Sequence, residues 1–193
     1  MAIRFHEDTR SFFLQTGKST YALMIDKDDH LLNLHWGTPI EDCDLSVLLA
    51  CYVDGASFDP AHAHRPYEIP TRSGCFYGTA ALGVRQHEGN TVAELRYESH
   101  KIIPGKPALP GLPATYVDDD ANAETLIITL RDPLTGLRVE EMLTVFAGNG
   151  AIARSMRIIN DGPDTVELYG ALSGNVQFWD HNFEVVHLKG RWA

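Results

Sequence analysis

Alternation with a period of two is the feature that most limits how this chain can fold. Leu126, Ile128 and Leu130 alternate with Thr125, Thr129 and Arg131, and only Ile127 breaks the polar face. From Leu137 to Val145 the odd positions are Leu, Val, Glu, Leu and Val, and Ile152, Met156 and Ile158 continue the pattern. Successive side chains of a strand point to opposite faces, so each run describes a strand with one face in a core. Ser19 to Ile25 and His30 to Trp36 flank the polar turn Asp26-Lys-Asp-Asp29, which predicts a hairpin. Thr165 to Phe178 reads as a last long run. Asp132-Pro133, Gly148-Asn-Gly150 and Asn160-Asp-Gly-Pro163 supply turns between the runs. No stretch of a dozen residues has the spacing of an amphipathic helix. The expected fold is all-β: a large antiparallel two-sheet β-sandwich with little helix.

Two segments interrupt the rhythm. Residues 38–80 are rich in Pro, Gly, Asp and His, and Pro104 to Pro113 holds four prolines in ten residues, which excludes a central strand. Neither is a linker, so residues 1–193 are read as one domain, long enough to bury a sizeable core. A net charge of -10 opposes a phosphate backbone, so no nucleic-acid partner is expected. No apolar run approaches the roughly 20 residues of a membrane helix, so no membrane partner is expected. The start lacks the apolar core of a secretory signal. Cys43, Cys51 and Cys75 are an odd set without CxxC spacing. A cytoplasmic location is expected. The closing residues, Leu188 to Ala193, have no polar fringe and suggest a cut at a domain boundary.

Few local patterns carry chemistry. Asp118-Asp-Asp120 lacks the ligand spacing of a calcium loop and reads as a solvated turn. His62 and His64, with Asp59, lack the second cluster of a transition-metal site and read as surface residues. Glu140 and Glu141 are neighbours in a strand and point to opposite faces, which excludes an acid/base pair. The glycines at 74, 78, 105 and 111 match no phosphate loop. Trp36, Trp179 and Trp192 could stack on a pyranose, although tryptophan on a sandwich is more often core or interface. No metal or cofactor is expected.

The most specific stretch is His100 followed by Lys101-Ile-Ile-Pro-Gly-Lys-Pro-Ala-Leu-Pro-Gly-Leu-Pro-Ala-Thr-Tyr-Val117. It resembles a segment of glycoside hydrolase family 36 α-galactosidases of bacterial type. Ala123-Glu-Thr-Leu126, Asp132 with Gly136-Leu137, Thr144-Val-Phe146, Ile152-Ala-Arg-Ser155, Ile158-Ile-Asn-Asp-Gly162, Leu172-Ser173 and His187-Leu-x-Gly-x-Trp192 follow in the family's order, and His35-Trp36-Gly37 precedes them. One departure is plain: Gly74-Cys-Phe-Tyr-Gly-Thr-Ala80 stands where many relatives have Gly-Asp-Phe-Arg-x-Pro-Ala.

The resemblance implies an amino-terminal domain followed by a (β/α)₈ barrel that carries two catalytic aspartates. A barrel takes about 250 residues by itself, so no catalytic residue is expected here. The parent would hydrolyse terminal α-galactosides, such as melibiose and raffinose, with retention, or transfer galactose as raffinose synthases do. The resemblance also implies that a loop near residues 42–66 reaches a neighbouring subunit's sugar pocket. Asp54 and Arg65 then become substrate-binding residues at the rim, and the partners are the barrel domain, further copies of the chain and a galactoside. A stand-alone carbohydrate-binding module and a structural interaction module are the competing readings.

Overall fold

The computed structural model describes residues 2–49, 65–73, 78–111, 115–116, 122–146, 148–176, 178 and 182–190. A first antiparallel sheet runs in chain order through β1 (Ile3–His6), β2 (Ser11–Gln15), β3 (Thr20–Ile25) and β4 (Leu31–Gly37). A second meander contains β6 (Arg96–Pro104), β7 (Ala123–Arg131), β8 (Leu137–Phe146) and β9 (Ala151–Asn160). A short third sheet pairs β5 (Leu82–Gln86) with β10 (Val166–Ala171). The helix among the described residues is α1, Ser46–Leu49, a single turn.

The two four-stranded sheets close on one core. Phe12, Leu14, Tyr21, Leu23 and Ile25 face Leu126, Ile128, Leu130, Val139, Leu143 and Val145, while Leu82 and Val84 of the short sheet seal an end. The family-like histidine, His100, joins this layer. Its ring lies 4.3 Å from that of Phe5 and 4.9 Å from that of Phe12, and burial holds the imidazole below its ordinary pKa. Its Nδ1 lies 2.7 Å from the Tyr97 hydroxyl oxygen, within hydrogen-bond reach.

The first sheet is covered on both faces. Phe13, Ala22, Met24, Leu32 and Leu34 form a second cluster with Leu45, against which Ile40, Leu48, Leu49 and Tyr67 pack. This is why β3 is buried from end to end although its sequence alternates only loosely. On the outer face of the second sheet, the Thr125 hydroxyl donates to the Gly105 carbonyl at 2.7 Å and lies 2.8 Å from the Thr144 hydroxyl. The described start of the proline-rich stretch therefore leaves the edge strand β6 after Pro104, and Gly105, Lys106 and Leu109 lie over that face.

The last expected run is shorter than its sequence suggests. β10 ends at Ala171, one further bond joins Leu172 N–H to the Ala81 carbonyl, and the chain then turns away. The Asn175 amide donates to the Tyr67 carbonyl at 2.9 Å, which draws the segment across the end of the sandwich instead of along β5.

Candidate functional site

Residues 65–68 lie alongside β4 and supply one charged group to each of two clusters, Arg65 and Glu68. The Asn33 N–H donates to the Pro66 carbonyl at 2.7 Å and the Glu68 N–H to the Leu31 carbonyl at 3.0 Å. Proline cannot donate, so the bond made by its carbonyl fixes the register on an edge where none of its own is needed. This short pairing sets Arg65 at the hairpin turn and aims Glu68 into the core.

At the turn, the Arg65 guanidinium pairs with the Asp26 carboxylate, whose side chain is 1% exposed. The other Asp26 oxygen accepts the N–H groups of Asp28 and His30 at 2.8 and 2.9 Å. His30 places Nδ1 3.3 Å from Asp26 and Nε2 3.2 Å from Glu94. Glu94 in turn accepts from Arg96 at 2.6 Å. Basic and acidic side chains thus alternate along Arg65, Asp26, His30, Glu94 and Arg96. Burial by itself would raise the Asp26 carboxyl, but the hydrogen bonds and charge of His30 and the Asp28 N–H outweigh it and hold the group at about 2. For His30 burial works downward, and the bonds to Asp26 and Glu94 overcome it, so the imidazole is raised from 6.5.

Arg65 and Asp26 line a cleft of about 410 Å³ with Asp8, Thr9, Lys27, Asp44 and Ser46, over an apolar floor that includes Met24 and Leu49. Donors, acceptors and an apolar floor are what a sugar ring requires. Asp26, Asp28 and His30 bring possible metal-ligand atoms within 4.8 Å of one another. The Asp26 oxygens are already taken by two backbone N–H groups, His30 and the Arg65 cation, so these residues do not make a metal centre.

The second cluster is inside the sandwich. Arg154 on β9 pairs with Glu68 and with Glu141 on β8, each at 2.8 Å, and both carboxylates are wholly buried. The Tyr21 hydroxyl donates to Glu68 at 2.6 Å, and the Asn33 amide donates to Glu68 at 3.0 Å. Burial first, and the negative charge of Glu68 second, push the Glu141 carboxyl well above its ordinary range against the opposing charge of Arg154. Tyr21 is raised in the same way, by burial and then by Glu68 and Glu141. That shift favours the protonated form of Glu141, in which one carboxylate would face one guanidinium. Two neighbouring carboxyl groups resemble the acid and base of a glycosidase, but these are closed to solvent.

The sequence candidates fare differently. Asp54, His62, His64, Asp59, Trp179, Trp192 and Asp118 to Asp120 lie outside the described residues, as does most of the Gly74 to Ala80 stretch. Trp36 is 39% exposed, and its ring meets that of Tyr21 edge-on at 4.8 Å. Glu140 and Glu141 do separate: Glu140 bonds Arg138 at 2.7 Å and Arg157 at 3.2 Å on the outer face. Sequence reasoning missed Asp26, His30, Glu68 and Arg154. Its one available signal was the charge of Glu141 and Arg154 on strand faces that are otherwise apolar.

The fold and its charged clusters define an antiparallel β-sandwich with a polar cleft on its loop side. Residues 29–193 match the glycosyl hydrolase family 36 N-terminal domain, and the chain belongs to that family. It is 33% identical to alpha-galactosidase AgaA of Geobacillus stearothermophilus over 200 residues, covering 100% of this chain and 27% of that protein. The crystal structure of the family 36 alpha-galactosidase AgaB of the same organism superposes with a TM-score of 0.78 at 34% identity, covering 90% of this chain and 24% of that one. Likeness extends to fungi: alpha-galactosidase 2 of Hypocrea jecorina is 29% identical over 187 residues, 95% of this chain and 24% of its own length. The chain spans about a quarter of the length of these relatives.

Proposed function

We propose that this chain is a non-catalytic part of an α-galactosidase that hydrolyses terminal α-galactosides with retention, its two catalytic carboxylates lying in a downstream barrel. The similarity to alpha-galactosidases along the whole chain, at a quarter of their length, carries this reading. The sandwich then serves the enzyme in two ways. Its apolar surface, with Leu168, Tyr169, Leu172, Phe178 and Phe183 exposed, packs against the rest of the protein and against other copies. The loop around residues 42–66 contributes Arg65 and Asp54 to the sugar-binding rim of a neighbouring subunit. The cleft supports this second role, because Asp44, Ser46, Leu49 and Arg65 of that loop border it.

The test uses an aryl α-galactoside. Residues 1–193 alone release no more product than buffer, and the full-length enzyme releases it steadily. In the full-length enzyme, Arg65→Ala raises KM about ten-fold or more, the size of one hydrogen bond from a charged group. Turnover that co-elutes with the isolated chain through repurification would overturn the non-catalytic reading.

A further inference from the structure

We propose that Asp26 is a positioning residue for substrate binding, acting through Arg65: it clamps the guanidinium against the cleft wall before the sugar arrives. The inference rests on the reading of Arg65 as a rim residue. Asp26 is suited to the task because its own carboxylate cannot turn. One oxygen is tied to the Asp28 and His30 N–H groups, and the other faces both Arg65 and the His30 ring. His30 is fixed in turn by Glu94, which Arg96 holds at 2.6 Å and whose N–H is donated to Asp132 at 3.2 Å. The turn that carries Asp26 is clamped from two directions. Arg10 bonds the Asp26 carbonyl at 2.8 Å and Asp29 at 2.6 Å, and Arg96 bonds the Asp28 carbonyl at 2.7 Å.

Arg65 is restrained at both ends as well. Its carbonyl accepts the Tyr67 N–H at 2.9 Å, the following Pro66 pairs with β4, and its side chain is only 14% exposed. A long, rotamer-rich side chain has thus lost its freedom without a ligand, and that loss no longer opposes binding. A rim contact made equally to substrate and transition state changes KM and leaves kcat unchanged, and that is the effect expected of Arg65.

The experiment uses the full-length enzyme and p-nitrophenyl α-galactoside, with Arg65→Ala, Asp26→Asn, the double variant and His30→Gln. Asp26→Asn is expected to raise KM about ten-fold with kcat held within two-fold, and to add nothing in the Arg65→Ala background. If Arg65→Ala leaves KM unchanged, the rim reading fails and this inference fails with it. If Arg65→Ala raises KM but Asp26→Asn does not, or if the two effects multiply, the positioning role is overturned while the rim reading stands. Should Asp26→Asn fail to give a cooperative melt, His30→Gln decides. A several-fold rise in KM that vanishes in the Arg65→Ala background supports the clamp, and an unchanged KM removes it.

Discussion

Glu141 occupies a position that the alternation of β8 reserves for apolar side chains, and burial there pushes its carboxyl toward the protonated form. Arg154 supplies one positive charge to two buried carboxyl groups, each at 2.8 Å, and Glu68 alone also accepts from Tyr21 and Asn33. The two glutamates therefore respond differently to substitution. Glu141→Gln keeps a neutral group of the same shape and is expected to cost little near pH 5. Arg154→Met strands the Glu68 charge and is expected to cost about 3–5 kcal/mol. The pH dependence has a definite sign. Because the folded pKa of Glu141 lies above 4.5, the native state holds a proton that the unfolded chain releases above that pH. Its contribution is complete below 4.5 and declines as pH rises toward the folded value. The amide has no such loss, so melting curves from pH 4 to pH 8 should show Glu141→Gln gaining on the parent as pH rises. A constant difference would mean that Glu141 is ionised in the fold.

At the scale of elements, two turns explain why the family-like glycines fall where they do. Gly136, between β7 and β8, adopts φ +76, and an added Cβ there would come within 3.0 Å of the Gly162 backbone. A Cβ on Gly162, after β9, would lie 2.0 Å from the Thr135 carbonyl oxygen. The turns pack backbone to backbone, and Gly162→Ala should force them apart at a cost of about 1–3 kcal/mol. A thermal melt of that variant within a degree of the parent would contradict this. The β3–β4 hairpin and the strands β7, β8 and β9 were legible because each has one wet face or a polar turn to mark it. β2 was not: Phe12, Phe13 and Leu14 are all buried, since the sheet is sandwiched between two apolar clusters and alternation is erased. Of the residues that border the cleft, the sequence singled out only Arg65, through the resemblance. Asp26 and Arg65 are 39 positions apart and His30 and Glu94 are 64 apart, so no local pattern joins them. Asp26 to Asp29 reads in sequence as an ordinary polar turn until the tertiary fold buries its first residue.

At the scale of the whole molecule, charge and apolar surface oppose one another. A net charge of -10 keeps copies apart at long range, but salt screens that repulsion beyond roughly 8–10 Å. Short-range attraction between apolar patches is not screened. Leu168, Tyr169 and Leu172 are about half exposed on and beside β10, and further along Val185, Val186 and Leu188 are 88%, 85% and 96% exposed. So much aliphatic and aromatic surface on one stretch of chain exceeds the scattered residues normal for a monomer. If the rest of an α-galactosidase covers this stretch, residues 1–193 expressed alone should associate through it. Light scattering is expected to show a mass that rises with concentration, and rises further when salt is increased from about 50 to 500 mM, because screening removes only the opposing term. Val185→Asp combined with Leu188→Asp should return the chain to a monomer and leave the melting temperature unchanged, since neither side chain belongs to the core. Association that weakens with added salt would point to ion pairs as its source, and a monomer at every concentration would mean that this surface is tolerated uncovered.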